Sequence, residues 1–358
     1  MRVVAAMSGG VDSSVAAFLM KREGREVIGV TIKTWPKEEC GGGDDKMCCS
    51  LDSIQYARSA AEDMGIPYYV VDLSKEFAEK IKKYFVEEYA RGRTPSPCVY
   101  CNSKIKFGCL LKKAREMGAQ RIATGHYARI IKRGGKCFLA EAVNGQGDQS
   151  YFLYDIPKEE LMYLDFPLGE LTKKEVVEIA RGENFMSAEK KPSQDICFAS
   201  GAGGYKKYLE KTAPDIFVPG DIVNAAGKKI AEHKGIAGYT VGQRHGLGIG
   251  SHEALYVTKI DAKNNAVTVS GRENAMKSRL RVKGFNWLIM DELNRPRSFG
   301  TRIRYNSKKA EARVVPKGRD EAIIEFSEPQ FAPAPGQAAV FYEDEIVAGG
   351  AWIEEALE

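Results

Sequence analysis

Apolar positions along the first part of the chain alternate between two periods. Arg2-Val3-Val4-Ala5-Ala6, Glu26-Val27-Ile28-Gly29-Val30-Thr31-Ile32, Tyr68-Tyr69-Val70-Val71 and Arg121-Ile122-Ala123-Thr124-Gly125 are short β-rich runs and predict strands. Between them, Val15-Ala16-Ala17-Phe18-Leu19-Met20 has the composition of a buried helix. Ile54, Ala57, Ala61 and Met64 fall at helical spacing before Gly65, and Phe77, Ile81 and Phe85 mark the stripe of another helix. This alternation predicts right-handed βαβ units, hence a parallel sheet whose functional loops lie at the strand carboxyl ends. Around Pro219-Gly220 the pattern changes to short alternating runs, such as Leu255-Tyr256-Val257, Val267-Thr268-Val269 and Ile323-Ile324-Glu325-Phe326, separated by turn residues. The expected architecture is an α/β domain over 1–205, a small central β-rich domain over 206–273 and a C-terminal β-barrel over 274–358.

A chain of 358 residues can bury a core in two or three such domains. It has no cleavage signature after Met1 and no apolar run approaching a membrane span, so a cytoplasmic protein without a membrane partner is expected. A net charge of +5 is compatible with nucleic acid but does not require it. Eight cysteines in a cytosolic chain point to redox, metal or sulfur chemistry rather than a disulfide scaffold.

The first strand leads into Ala6-Met7-Ser8-Gly9-Gly10-Val11-Asp12-Ser13-Ser14, at a strand-to-helix junction. Its glycines allow close backbone approach. Its amides, the hydroxyls of Ser8, Ser13 and Ser14 and the positive helix end are expected to converge on a phosphate. A Walker A loop would need Lys-Ser or Lys-Thr after the last glycine, and a dinucleotide loop G-x-G-x-x-G; neither fits. Gly125-His126, after the fourth strand, is placed like this loop. Cys98 and Cys101 form a CxxC expected just before a helix capped by Asn102 or Ser103, with Lys104 and Lys106 close by. That setting favours a thiolate, although half of a zinc site has the same spacing. Cys197, inside Ile196-Cys197-Phe198, reads on its own residues as a small buried hydrophobe.

The serine-glycine loop resembles the pyrophosphate loop of the ATP pyrophosphatase (PP-loop) superfamily. Together with Thr94-Pro95-Ser96-Pro97 leading to Cys101-Asn102, Thr124-Gly125-His126-Tyr127, Asp148-Gln149-Ser150, Ser193-Gln194-Asp195-Ile196-Cys197 and Gly242-Gln243-Arg244-His245-Gly246, it resembles the bacterial tRNA-specific 2-thiouridylase (MnmA) family almost end to end. The resemblance implies a sulfurtransferase that adenylates O2 of the wobble uridine of lysine, glutamate and glutamine tRNAs and replaces it with sulfur. It implies ATP and Mg²⁺ as cofactors. ATP would be bound at Ala6, Met7, Ser8, Gly9, Gly10, Val11, Asp12, Ser13, Ile32 and Gly125. Cys197 would carry a persulfide received from a sulfur-relay protein or cysteine desulfurase, and Cys101 would be the nucleophile that releases the sulfur, leaving a Cys101–Cys197 disulfide. The tRNA would meet Ser96, Pro97, Cys98, His126, Gly147, Asp148, Gln149, Arg304, Tyr305 and Gln337. Family members often carry Asp where this chain has Cys98. The change makes Cys98, Cys101 and Cys197 candidate ligands of a [4Fe–4S] cluster, an alternative to the persulfide route with Cys98 as acid or base.

In the last domain Arg279, Arg281, Lys283, Arg295, Arg297, Arg302, Arg304, Lys308 and Lys309 crowd a stretch with Phe285, Trp287, Phe299 and Tyr305. Basic groups hold phosphates and aromatics offer stacking for unpaired bases, although charge runs usually mean only a solvated face; it is the match of Arg304-Tyr305 and Gln337 to family tRNA contacts that implies this stretch faces RNA. Other readings are a PP-loop enzyme acting at another tRNA position, an amide-forming PP-loop ligase, and an RNA-binding protein with a structural zinc.

Overall fold

A computed structural model describes residues 1–35, 51–145, 147–189, 196–251 and 253–357. Residues 40–45, where the glycine-rich run Cys40-Gly41-Gly42-Gly43-Asp44-Asp45 reads as a loop, Cys48, Cys49 and residues 193–195 lie outside the described residues. The chain divides into two compact units, one of Met1–Ile81, Cys98–Gly204 and Glu345–Val347, the other of Lys82–Pro97, Tyr205–Asp344 and Ala348–Glu358.

The first unit is built on a parallel sheet. Strands β1 (Arg2–Ala6), β2 (Glu26–Lys33), β3 (Tyr68–Asp72) and β4 (Arg121–Thr124) match the expected runs. Next come β5 (Ala128–Arg133), β6 (Lys136–Glu141) and β7 (Leu164–Asp165), and the sheet order is β3-β2-β1-β4-β7. Val3, Val4 and Ala5 are at most 1% exposed because β1 is central and covered on both faces. Since β1 continues to β2 on one side and neighbours β4 on the other, the crevice between the carboxyl ends of β1 and β4 is the topological switch point. Helix α1 (Val11–Arg22) packs its Val15, Ala16 and Ala17 against the sheet, and helix Lys173–Gly182 joins the same core through Val176 and Ala180. The antiparallel hairpin β5–β6 was not expected. Its signal was Gly134-Gly135, both at positive φ (55° and 74°), between two alternating runs.

In the second unit, β8 (Gly220–Val223), β9 (Lys229–His233), β10 (Tyr256–Asp261) and β11 (Ala266–Ser270) form a small sheet over Ile222, Val257, Val267 and Val269. Strands β12 (Met276–Trp287), β13 (Arg297–Arg302), β14 (Ala310–Pro316), β15 (Glu321–Phe331), β16 (Ala338–Glu343) and β17 (Ile346–Leu357) follow in the order β12-β15-β14-β13-β16-β17. Pairing of β12 with β17 closes a six-stranded barrel, which leaves no open edge. Phe285, Trp287 and Phe299 stack with Phe341 inside it, at centroid separations of 5.2 Å for Phe285–Trp287 and 5.6 Å for Phe299–Phe341. This corrects the expectation that those aromatics face unpaired bases: they are the barrel core.

Candidate active site

The glycine loop joins β1 to α1 as predicted. Its base is tied to β2, where Met7 N–H donates to Val30 O (2.8 Å) and the buried Thr31 hydroxyl donates to Met7 O (2.6 Å). Gly9 has φ of 71°, and a Cβ there would lie 2.0 Å from Ser53 O, so only glycine fits. Gly10 caps α1 without a side-chain bond. The hydroxyls do not all converge on a ligand. Ser14 is 0% exposed and donates to Gly10 O (3.3 Å). Ser13 also donates to Gly10 O (2.9 Å) and accepts from Ser8 N–H (3.0 Å), which closes the loop on itself. Small hydroxylated side chains at these positions therefore shape the turn; Ser8 is exposed, and its hydroxyl donates to Ser13 Oγ (3.2 Å).

Opposite the loop, Gly125 follows β4. A Cβ on it would lie 2.7 Å from the carbonyl carbon of Asp12 and 2.8 Å from Ser13 N, so two backbones touch here. The next residue, His126, sits between Thr124 Oγ1 (2.7 Å from Nδ1) and Lys106 Nζ (3.3 Å from Nε2). Desolvation, and then the Lys106 charge, hold its imidazole well below the ordinary value of 6.5. The ring is neutral at pH 7. An ammonium can only donate, so Nε2 accepts from Lys106, and Nδ1–H donates to Thr124.

Asp12, in the first turn of α1, accepts from the Tyr127 hydroxyl (2.8 Å) and from Lys173 Nζ (2.5 Å). Burial first, and then the Asp12 carboxylate, push the Tyr127 phenol far above its usual range, so it stays a donor. Lys173 opens a helix with a full capping box, in which Thr172 Oγ1 accepts from Glu175 N–H and Glu175 accepts from Thr172 N–H. The capping signature was readable in sequence, but nothing in spacing showed that Lys173 reaches Asp12. Lys173 is the site residue that sequence reasoning missed; Lys106 was expected beside Cys101, but its bond to His126 was not.

The cysteine-bearing helix begins earlier than expected. Helical structure runs without interruption over 97–116, starting at Pro97 and taking wide π-type turns over Cys101–Cys109. Proline is preorganised for the first helical position, so Ser96-Pro97 opens the helix, and Asn102 and Ser103 are buried inside it. Cys98 thus lies in the first turn, exposed, and Cys101 one turn further, half-buried. Asn102 donates to Phe152 O (3.0 Å), and Lys104 pairs with Asp155 (3.5 Å), which ties this helix to the segment after Gln149. Cys197 is half-buried, and the neighbouring Phe198 ring packs edge-on against Phe77 at 5.8 Å. Among the described residues, no three His, Cys, Asp or Glu side chains gather to hold a metal. As placed, Cys98, Cys101 and Cys197 do not fit the ligand set of a cluster.

Of the remaining expected contacts, Ala6, Met7 and Ile32 lie at or just beyond the carboxyl ends of β1 and β2. Gly147 is exposed, whereas Asp148 is 3% exposed and its carboxylate accepts from Ala142 N–H, Ser150 N–H and the Ser150 hydroxyl. Gln149 pairs with the Tyr127 backbone in both directions. In the second unit, Gln337 donates to Thr94 O and Pro95 O, just ahead of Ser96 and Pro97, Arg304 is exposed and Tyr305 half-buried.

A parallel sheet that delivers a serine-glycine loop into a helix, with a second glycine loop pressed against it at the switch point, defines a nucleotide-binding α/β domain of the PP-loop kind. Family models match along the chain: a tRNA methyl transferase HUP domain over residues 1–201, a tRNA methyl transferase PRC-barrel domain over 206–271 and an aminomethyltransferase beta-barrel domain over 277–353. The tRNA-specific 2-thiouridylase MnmA 2 of Thermoanaerobacter sp. (strain X514) is 43% identical over 360 residues, covering 100% of this chain and 99% of the relative. MnmA 1 of Caldanaerobacter subterraneus subsp. tengcongensis is 44% identical, covering 99% and 98%, and MnmA of Symbiobacterium thermophilum 42%, covering 99% and 93%. The chain belongs to the tRNA-specific 2-thiouridylase family.

Proposed function

We propose that this chain is an ATP-dependent tRNA-uridine 2-sulfurtransferase acting at the wobble position of lysine, glutamate and glutamine tRNAs. One observation carries the reading. Asp12 and Ser13 of the loop touch Gly125, the adjoining His126 bonds Lys106, and Lys106 lies on the same helical run as Cys101. A chain of contacts within one unit thereby links the phosphate loop to the helix that carries the thiol.

ATP is held by the loop from Ala6 to Ser13 with Ile32 and Gly125. Uracil O2 attacks its α-phosphorus, pyrophosphate leaves with its charge met by the helix end, and O2 becomes part of an AMP leaving group. Mg²⁺ in such sites is bound largely by phosphate oxygens and needs few protein ligands. Asp12, whose Oδ1 accepts from Tyr127 and Lys173, would offer its other oxygen to such an ion. Cys197 carries a persulfide from a sulfur-relay protein or cysteine desulfurase. Cys101 thiolate attacks Cys197 Sγ, breaking its S–S bond, and the released sulfur bonds to C2 as AMP departs. The new Cys101–Cys197 disulfide is opened by a thiol reductant. Cys98, near the helix N-terminus, stands in the acid/base position. Ser96, Pro97, Cys98, His126, Gly147, Asp148, Gln149, Arg304, Tyr305 and Gln337 are the tRNA contacts, and a flipped uracil is the substrate form.

The test is sulfur incorporation into an unmodified lysine-tRNA transcript, read by nucleoside mass spectrometry, with ATP, Mg²⁺ and a persulfide donor, before and after iron removal. Wobble 2-thiouridine is expected in both states. Cys101→Ser and Cys197→Ser should each abolish it while tRNA-dependent pyrophosphate release continues. Product that forms only with iron bound overturns the persulfide route, and product that survives both substitutions overturns the cysteine assignment.

A further inference from the structure

The basic residues of the second unit sort into two groups. Arg281 pairs with Glu355 (3.1 Å), Lys283 with Glu321 (3.1 Å), Arg279 with Glu325 (3.9 Å) and Arg297 with Glu343. These pairs lie across adjacent strands and stabilise barrel register, so their charge is largely neutralised at the surface. Arg272 and Arg304 are different. Both are exposed, and neither has a carboxylate within ion-pair range among the described residues. Both lie over one ring, that of the half-buried Phe331, with guanidinium carbons 4.4 Å and 5.8 Å from its centroid. The ring is held in place by the edge of Tyr256 at 5.3 Å and by a close backbone, since a Cβ on Gly242 would come within 3.6 Å of it. The neighbouring Glu273 carboxylate folds back on its own turn, toward Gly271 and Asn274.

We propose that Arg272, with Arg304 and the Phe331 ring beneath them, is a clamp for a backbone phosphate of RNA. Stacking on an aromatic face orders a guanidinium without consuming its N–H donors, and leaves its edge free for bidentate contact with a phosphate. Two such groups on one ring concentrate positive charge at a fixed point. A phosphodiester is the partner this matches, because it offers paired oxygens and a full charge. Arg272 belongs to the end of the central small sheet region and Arg304 to the turn between β13 and β14, so a strand held here bridges two parts of the second unit. The proposal rests on the tRNA reading above and extends it to a residue outside the expected contacts.

The experiment is fluorescence anisotropy of a labelled, unmodified lysine-tRNA transcript with the full chain, titrated over a range of salt. Arg272→Ala should weaken binding several-fold at low salt and reduce the slope of log Kd against log salt by about one, the signature of one lost phosphate contact. Arg272→Lys should keep the slope, and Arg281→Ala, which removes an already paired charge, should move neither quantity. If the wild-type chain binds tRNA and Arg272→Ala is indistinguishable from it, the clamp is refuted while the tRNA reading stands. If the wild-type chain shows no salt-dependent tRNA binding, both fall.

Discussion

Gly125→Ala isolates the contact on which the crevice depends. The φ of Gly125 is not in the left-handed region, so alanine is tolerated by the backbone and acts only through its extra methyl. That carbon would stand 2.7 Å from Asp12 C, 2.8 Å from Ser13 N and 2.9 Å from Asp12 O, all backbone atoms that cannot rotate away. Carbon contacts settle near 3.5–4.0 Å, so the two loops must part by roughly 0.8 Å. Overpacking of this kind costs about 1–3 kcal/mol. A shift approaching 1 Å at reacting groups costs on the order of 100-fold in rate. The expected result is therefore tRNA-dependent pyrophosphate release lowered about 100-fold, with a melting midpoint lowered by roughly 2–10 °C. The matched control is Gly182→Ala at the end of helix Lys173–Gly182, where nothing lies within 4 Å of the added carbon. It should keep the wild-type rate and gain up to about 1 kcal/mol from helix propensity. A Gly125→Ala protein with wild-type rate and midpoint would refute the claim that the two loops are in backbone contact.

Lys173→Ala should separate loop positioning from stability. With side chains 42% and 34% exposed, the Lys173–Asp12 pair is worth less than about 1 kcal/mol, yet its loss frees the Asp12 carboxylate and should slow pyrophosphate release about tenfold; an unchanged rate would sink the assignment. His126 predicts a pH dependence. Its folded value is depressed below 6.5, so the unfolded chain takes up the proton first, and stability, level above that pH, falls as pH drops below it by up to about 1.4 kcal/mol per unit. His233, also depressed by burial, adds the same sign, so the test is the difference between the wild-type chain and His126→Asn in denaturant midpoints across this window. Equal acid-side slopes would show that His126 is not held neutral.

Much of the first unit was legible because its strands are short, buried on both faces and bounded by glycine. Val3-Val4-Ala5 needs no tertiary information to be placed at the centre of a sheet. The start of the cysteine helix was misread for a local reason: Asn102 and Ser103 are good caps by type, but Pro97 five residues earlier is a better start, and the Asn102 amide nitrogen, instead of capping, donates to Phe152 O. In the barrel, aromatic residues in an arginine-rich stretch looked like a nucleic-acid surface. Strict alternation would put Phe285 and Trp287 on one face with Arg281 and Lys283, but Leu280 and Val282 are buried, and a register shift between Lys283 and Asn286, with Gly284 at positive φ, changes the phase of the strand. Phe285, Trp287 and Phe299 therefore join the barrel core, while the preceding Arg281 and Lys283 meet carboxylates of adjacent strands.

The candidate site was legible only as separate motifs. The loop at Ser8–Ser13, Gly125-His126 and the CxxC could each be found by composition, but the links between them could not. Those links are Gly125 against Asp12, His126 with Lys106, and Lys173 with Asp12 across 161 positions of sequence. Each depends on topology. The β3-β2-β1-β4-β7 order brings the end of β4 beside the end of β1, and only then does a glycine at position 125 acquire a reason to lack a side chain. The same logic separates the serines of the loop. By type all are phosphate donors, yet the helix that starts at Gly10 turns Ser14 into the core and commits Ser13 to Ser8 and Gly10, so exposure and not identity decides which hydroxyl can meet a ligand. It also separates the cysteines. A shared helix puts Cys98 and Cys101 one turn apart, and Cys197 arrives from a distant segment seated by Phe198 on Phe77. Among the described residues these three thiols do not gather on one point, as the ligands of a cluster would.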